Sequence, residues 1–184
     1  SFMDPLWYAA RFANLDAFNV AADAVRPYIV TQDFANHIIF LGGTGNTVSL
    51  AAIMAFRCRS KRIKSLGKLG LLPGIFNVNE PIIFGLPMVL NPMMAIPFFI
   101  FPPITVLLSF CAMYFGLVPY PTGITVPWTL PAPFGGWMMC GDWRGGVLQL
   151  VIIIIGGLIY YPFITALDKQ YLEEEQAAPA ETAA

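Results

Sequence analysis

From Leu69 to Gly141 the chain carries a single charged side chain, Glu80, and from Phe34 to Gly141 it carries no other acidic residue. A stretch this long without ions has to be surrounded by something other than water. Only 11% of the 184 residues are charged and 57% are hydrophobic, against about a quarter charged in an ordinary soluble domain. The mean hydropathy is +0.66. These values argue against an ordinary soluble domain and for a membrane protein. The net charge of −1 is uninformative about partners, but the distribution of cations is not. Six of the ten Lys and Arg residues (Arg57, Arg59, Lys61, Arg62, Lys64 and Lys68) fall in one short stretch. Beside an apolar span this reads as a cytoplasmic loop under the positive-inside rule, and no nucleic-acid partner is expected.

The apolar sequence is repeatedly broken. Residues 1–33 mix Asp4, Asp16, Asp23 and Asp33 with aromatics and alanines. Asp4 followed by Pro5 predicts a helix start, capped by Asp4, and Pro27 stops a second helix. One or two amphipathic helices near the membrane are expected here. Phe34–Phe56 is the first predicted span, about 34 Å as a helix, with Gly42, Gly43, Thr44, Gly45, Asn46 and Thr47 at its middle. These small and polar residues suit either close helix packing or the lining of a polar cavity. After the predicted loop Arg57–Lys68, Leu69–Leu90 has two arms of about 12 Å each, too short to cross alone. Asn77, Asn79, Glu80 and Pro81 lie between them, which predicts a re-entrant hairpin with its tip near Asn79–Pro81. Further spans are expected at 91–117, interrupted by Pro97, Pro102 and Pro103, and at 146–167. Between them, 118–145 is a Pro/Gly-rich broken segment. The acidic end, 168–184, is predicted to be a disordered cytoplasmic tail. The expected fold class is therefore all-α: a polytopic helical membrane protein with broken or re-entrant hairpins, forming part of a transport domain. The Arg57–Lys68 loop and the C-terminus are both placed inside.

Glu80 is the leading candidate site residue, since an ionisable group within a membrane segment carries a function by default. With Asn77 and Asn79 beside it, the tip supplies donors and acceptors with little net charge, which suits a neutral polyhydroxyl ligand. The competing reading makes Glu80 a helix-capping carboxylate at the start of the second arm. Trp128, in V-P-W-T-L-P, is either a face for a sugar ring or an interfacial anchor. His37 is the only histidine and reads as structural. Cys58, Cys111 and Cys140 show no metal spacing and no CxxC pair. They read as structural thiols, although the cations around Cys58 would favour its thiolate. No metal and no cofactor are expected.

The run G-I-F-N-V-N-E-P-I-I-F-G-L-P-M-V-L-N-P resembles the signature of the enzyme IIC component of the lactose/cellobiose (diacetylchitobiose) family of the bacterial phosphotransferase system. F-L-G-G-T-G-N-T-V-S-L, S-K-R-I-K-S-L-G-K-L, P-T-G-I-T-V-P-W-T-L-P and G-D-W-R-G-G-V-L-Q-L resemble it too, in the same order. The resemblance implies a sugar-specific permease in the bacterial cell membrane. It binds a β-linked disaccharide and carries it inward by an elevator-type motion. It then presents the sugar 6-hydroxyl to a phosphocysteine on a cytosolic IIB partner, so that it is the membrane component of a sugar phosphotransferase. It implies that Glu80 hydrogen-bonds that hydroxyl and helps take its proton, that Asn79 contacts the sugar and that Trp128 stacks on it.

The family protein is about twice as long, and its Gly-x-His-Gly stretch has no counterpart here. His37 lies elsewhere and does not inherit that role. The chain is accordingly expected to be the C-terminal part of a longer protein, with a homodimer interface in the N-terminal half. The first rival is a proton-coupled secondary sugar transporter with Glu80 as the coupling carboxylate. The second is a truncated fragment with no activity of its own.

Overall fold

Helix α1 (Asp4–Val20) begins one residue earlier than the Asp-Pro pair predicts. Met3 is the N-cap, and Asp4 already sits in the first turn, where its charge suits the helix dipole. The computed structural model describes residues 3–21, 24–86, 88 and 90–181, with side chains described to residue 177. Among these, every regular element is helical. The chain divides into two compact units, Ser1–Leu41 with Pro102–Ile152, and Gly42–Phe101 with Ile153–Ala184.

The first unit holds α1, a short α2 (Gln32–Phe34) that runs into a π-helical turn at Ala35–Ile39, and α7 (Phe134–Cys140). It also holds part of α6 (Pro92–Tyr114) and the start of α8 (Trp143–Glu181). The segment 117–133 makes no regular element, because its prolines lack N–H donors and fix φ. Side chains from the helices satisfy its backbone instead. Asn14 is fully buried. It donates to the carbonyls of Tyr28 (2.7 Å) and Pro121 (2.9 Å) and accepts from the Tyr28 N–H (3.0 Å). Gln149, also fully buried, accepts from the Gly136 N–H (2.7 Å) and donates to the His37 carbonyl (2.9 Å). His37 itself is buried against Gly135, where a Cβ would overlap the imidazole.

The second unit is built on α3 (Thr47–Phe56), α4 (Lys61–Ile75) and α5 (Glu80–Gly85), with the remaining parts of α6 and α8. Its core includes Leu50, Met54, Ile63, Ile82, Phe98 and Tyr160. Three buried glycines on α4 let its neighbours approach closely. A Cβ at Gly67 would strike Met54 and Ala55, one at Gly70 would strike Ile82, and Gly74 lies against Val48. With Leu66 against Gly85, these contacts make both α3–α4 and α4–α5 antiparallel pairs.

Three expectations are corrected here. Phe34–Phe56 is not one continuous helix. Gly42, Gly43 and Gly45 take φ of +68°, +84° and +78°, and Asn46 takes +52°, so the α-helical hydrogen-bond ladder stops and restarts at Thr47. Arg57–Lys68 is not a loop throughout, since α4 starts at Lys61 with Ser60 as its cap, the Ser60 Oγ accepting from the Ile63 N–H (3.3 Å). The first arm of the hairpin is correspondingly longer than Leu69 onward. Residues 168–184 are not wholly a disordered tail either, because α8 continues to Glu181. The reason is electrostatic. The Asp168 carboxylate accepts from the N–H groups of Arg59 (2.9 Å) and Ser60 (3.0 Å). Glu175, two turns further along the same face, accepts from the Ser60 hydroxyl (2.6 Å) and from the N–H groups of Lys61 (3.1 Å) and Arg62 (3.0 Å). Two carboxylates thus occupy the positive end of α4 and hold the acidic extension in helical form.

Candidate functional site

The N-V-N-E-P stretch sits at the break between α4 and α5. Pro73 and Gly74 end α4, and the Phe76 and Val78 N–H groups both return to the Pro73 carbonyl (2.9 and 3.0 Å). Asn77 takes the left-handed conformation at φ +65°, which asparagine tolerates better than most residues. Asn79 is the N-cap of α5 by backbone geometry but makes no side-chain capping bond. Glu80 is the first helical residue, and Pro81 follows where its missing N–H costs nothing.

What holds this turn is the other broken stretch. The Asn77 Oδ1 accepts from the Gly42 N–H (2.6 Å), and the Asn79 amide donates to the Thr44 carbonyl (2.9 Å). Gly43 fits between them: a Cβ there would overlap the Asn79 side chain. The glycine turn is braced from behind. The Thr47 hydroxyl donates to the Gly42 carbonyl (3.0 Å) and the buried Tyr160 hydroxyl donates to the Gly45 carbonyl (2.6 Å). Asn46 accepts from the Ser49 hydroxyl (3.2 Å). Asn77 and Asn79 are buried, whereas Glu80 is exposed. The carboxylate is therefore displayed at the N-terminal end of α5, on a rigid polar mount.

The predicted site residues are distributed as follows. Asn79 and Glu80 lie together in the second unit. Trp128 lies in the first, 53% exposed, in a turn closed by the bond from the Leu130 N–H to the Pro127 carbonyl (2.9 Å). The strand-like approach to that turn is gripped by Arg11 and Asp33. Arg11 donates to the Gly123 carbonyl (3.1 Å) and to the Thr125 hydroxyl, and it pairs with Asp33 at 3.5 Å. Asp33 accepts from the Val126 N–H (3.4 Å). Sequence reading gave no role to Arg11, Asp33 or the Gly42–Asn46 turn as supports. The glycine spacing along α4 was the available signal for the tight α3–α4–α5 packing. Cys58 also departs from expectation. It is buried, and its thiol is pushed up to about 12, first by burial and then by Asp168, which outweighs the cations nearby. It is not a low-pKa nucleophile.

An all-helical chain whose polar groups converge where helices break, with two helices long and apolar enough to cross a bilayer (Pro92–Tyr114 and Trp143–Ala177), fits the architecture of membrane transport proteins. The chain belongs to the family described as "Phosphotransferase system, EIIC", which matches residues 1–102. It is similar to the lichenan permease IIC component of Bacillus subtilis (strain 168), with 47% identity over 174 residues, covering 94% of this chain and 38% of the relative. It is also similar to the cellobiose-specific EIIC component of Geobacillus stearothermophilus, with 45% identity, covering 96% of this chain and 40% of the relative. Among solved structures, the transporter ChbC, the IIC component from the N,N′-diacetylchitobiose-specific phosphotransferase system, matches with a TM-score of 0.91 and 40% identity. That match covers 95% of this chain and 40% of the other. The chain thus spans about two fifths of the length of the relatives it matches.

Proposed function

We propose that this chain forms part of the sugar-translocating membrane domain of a phosphoenolpyruvate-dependent phosphotransferase system, specific for a β-linked disaccharide. The observation that carries the proposal is the exposed Glu80 carboxylate, mounted at the start of α5 by the Asn77–Gly42 and Asn79–Thr44 hydrogen bonds. Names of similar proteins (lichenan, cellobiose and diacetylchitobiose IIC components) support the substrate class.

In this reading Asn79 and Glu80 are sugar contacts, and Trp128 offers a face for a pyranose ring. An elevator-type movement carries the sugar to the cytosolic side, where a phosphorylated IIB protein approaches. The sugar 6-hydroxyl oxygen then attacks the phosphorus of the IIB phosphocysteine. The S–P bond breaks, the electron pair leaves with the thiolate, and the hydroxyl proton passes to the Glu80 carboxylate. Such transfer depends mostly on positioning and electrostatics, with the base contributing about 10²–10⁴-fold. The protein resides in the bacterial cell membrane and forms a homodimer through parts outside this chain. The basic segment and the C-terminus face the cytoplasm together. The capping of α4 by Asp168 and Glu175, which ties the two on one side, supports that placement. The exposed cations from Arg57 to Lys68 give an acidic IIB surface something to meet.

The test is Glu80→Gln in the full-length protein, in membrane vesicles supplied with phosphorylated IIB. Cellobiose phosphorylation is expected to fall at least a hundredfold while cellobiose still binds. Accumulation of unphosphorylated cellobiose driven by a proton gradient would overturn the reading in favour of a secondary transporter.

A further inference from the structure

The end of α3 and the middle of α8 enclose a cleft of about 510 Å³ in the second unit, whose lining does not include Asn79 or Glu80. Arg57, Arg59 and Lys169 line it, all three exposed. None of them has an ion-pair partner among the described residues. The acidic group in the lining, Asp168, is turned to the backbone N–H groups of Arg59 and Ser60. Near the end of α3, the Ile53 carbonyl accepts from the N–H groups of Arg57 and Cys58. The carboxylate at the cleft is thus already hydrogen-bonded, and the three cations have no ion-pair partner among the described residues. The lining also holds the apolar and aromatic side chains of Ile53, Phe56, Tyr161 and Leu172; Phe56 is 73% exposed and Tyr161 45%.

The height of this cleft along α8 is informative. The apolar run of α8 extends from Gly146 to Leu167, about 33 Å of helix, the thickness of a bilayer core. It gives way to Asp168 and Lys169 at the cleft. On the membrane reading above, on which this inference rests, the cations stand at headgroup level and Phe56 and Tyr161 at the upper acyl chains. A basic pocket with an apolar lip at that level matches one ligand chemistry, a phosphodiester carrying hydrocarbon. We propose that this cleft binds an anionic glycerophospholipid from the cytoplasmic leaflet, its phosphate held by Arg57, Arg59 and Lys169 and its acyl chain lying on Phe56 and Tyr161.

The experiment uses full-length protein, first shown to fractionate with membranes, then delipidated in detergent and titrated with dioleoylphosphatidylglycerol or dioleoylphosphatidylcholine by native mass spectrometry. Each cation near a lipid headgroup is worth about a factor of five. The triple variant Arg57→Gln, Arg59→Gln, Lys169→Gln is therefore expected to bind phosphatidylglycerol about a hundredfold more weakly than the parent, down to the phosphatidylcholine level. A charge-matched control, Lys61→Gln, Lys64→Gln, Lys68→Gln on α4, is expected to change it less than about fivefold. Equal losses in both variants would show diffuse electrostatics and overturn the site, as would unchanged binding in the first. Displacement of phosphatidylglycerol by millimolar inorganic phosphate would replace the lipid with a free phosphate ligand. Recovery of the protein in the soluble fraction would instead remove the membrane reading itself.

Discussion

The side-chain amide of Asn79 donates to the carbonyl oxygen of Thr44 across 2.9 Å, joining residues 35 apart in the chain. Asn77 makes the parallel contact to the Gly42 N–H. Each break in the helices supplies what the other lacks, a side chain on one side and an unpaired backbone group on the other. Replacing Asn79 with Ala removes this bond at a half-buried place, since Asn79 is buried and Thr44 is exposed. The expected cost is about 0.5–1.5 kcal/mol, read as a lowered unfolding temperature of the full-length protein in detergent. Gly43→Ala should destabilise as well, because it combines a φ of +84° with a Cβ placed inside the Asn79 side chain. If the two substitutions act through this one contact, their effects in the double variant will be less than additive.

Arg11 and Asp33 fix the backbone from Gly123 to Val126, two residues before Trp128. Removing one partner of this pair leaves the other charge buried, a change that costs about 3–5 kcal/mol in buried pairs generally. Under the proposed sugar role of Trp128, Arg11→Leu should raise the KM for cellobiose by about tenfold or more with a smaller effect on kcat. Arg11→Lys, which keeps the ion pair but not the forked donor set, should recover only part of this. Kinetics of sugar phosphorylation in vesicles would show it. An effect on kcat alone would argue that the pair has no bearing on sugar binding.

Cys58 should be almost inert. With a thiol at about 12, roughly one part in ten thousand is thiolate at pH 8, and the residue is only 5% exposed. Iodoacetamide labelling of native protein at pH 8, followed by peptide mass spectrometry, is expected to leave Cys58 unmodified under conditions that label it fully in denaturant. Rapid native labelling would refute the burial of this thiol.

The Glu175 contacts predict an acid-sensitive helix junction. The Ser60 hydroxyl, followed by the Arg62 and Lys61 N–H groups, holds the Glu175 carboxyl below its ordinary range. A carboxyl shifted in that direction stabilises the fold above its unfolded pKa and loses that contribution as the pH falls through the lower folded value. Hydrogen-exchange protection of the Lys61 and Arg62 amides, corrected for intrinsic rates, should hold at pH 7 and fall below the usual carboxylate range. Glu175→Ala should remove the pH dependence and leave those amides poorly protected throughout.

The sequence by itself determined the all-helical class, because a chain with a single charge from Leu69 to Gly141 admits few other solutions, and it marked N-V-N-E-P as a break bearing a carboxylate. The run of motifs from F-L-G-G-T-G-N to G-D-W-R-G-G pointed to the family. Periodicity and hydropathy could not show that Gly42–Asn46 would leave the helix, since glycine and asparagine are tolerated inside membrane helices and outside them. Nor could composition show that the acidic end would be helical: Asp168 and Glu175 look like solvated charge until the N-terminus of α4 is placed beside them. The tertiary structure decided which polar groups are mounts and which is on display. Asn77 and Asn79 read in sequence as polar companions of Glu80 at the tip, yet they are buried and bonded to the glycine turn, and the carboxylate alone among the three is exposed. The physical reason is that hydropathy is a local property of the chain. The satisfaction of a buried donor or acceptor depends on what the rest of the fold brings within 3 Å of it.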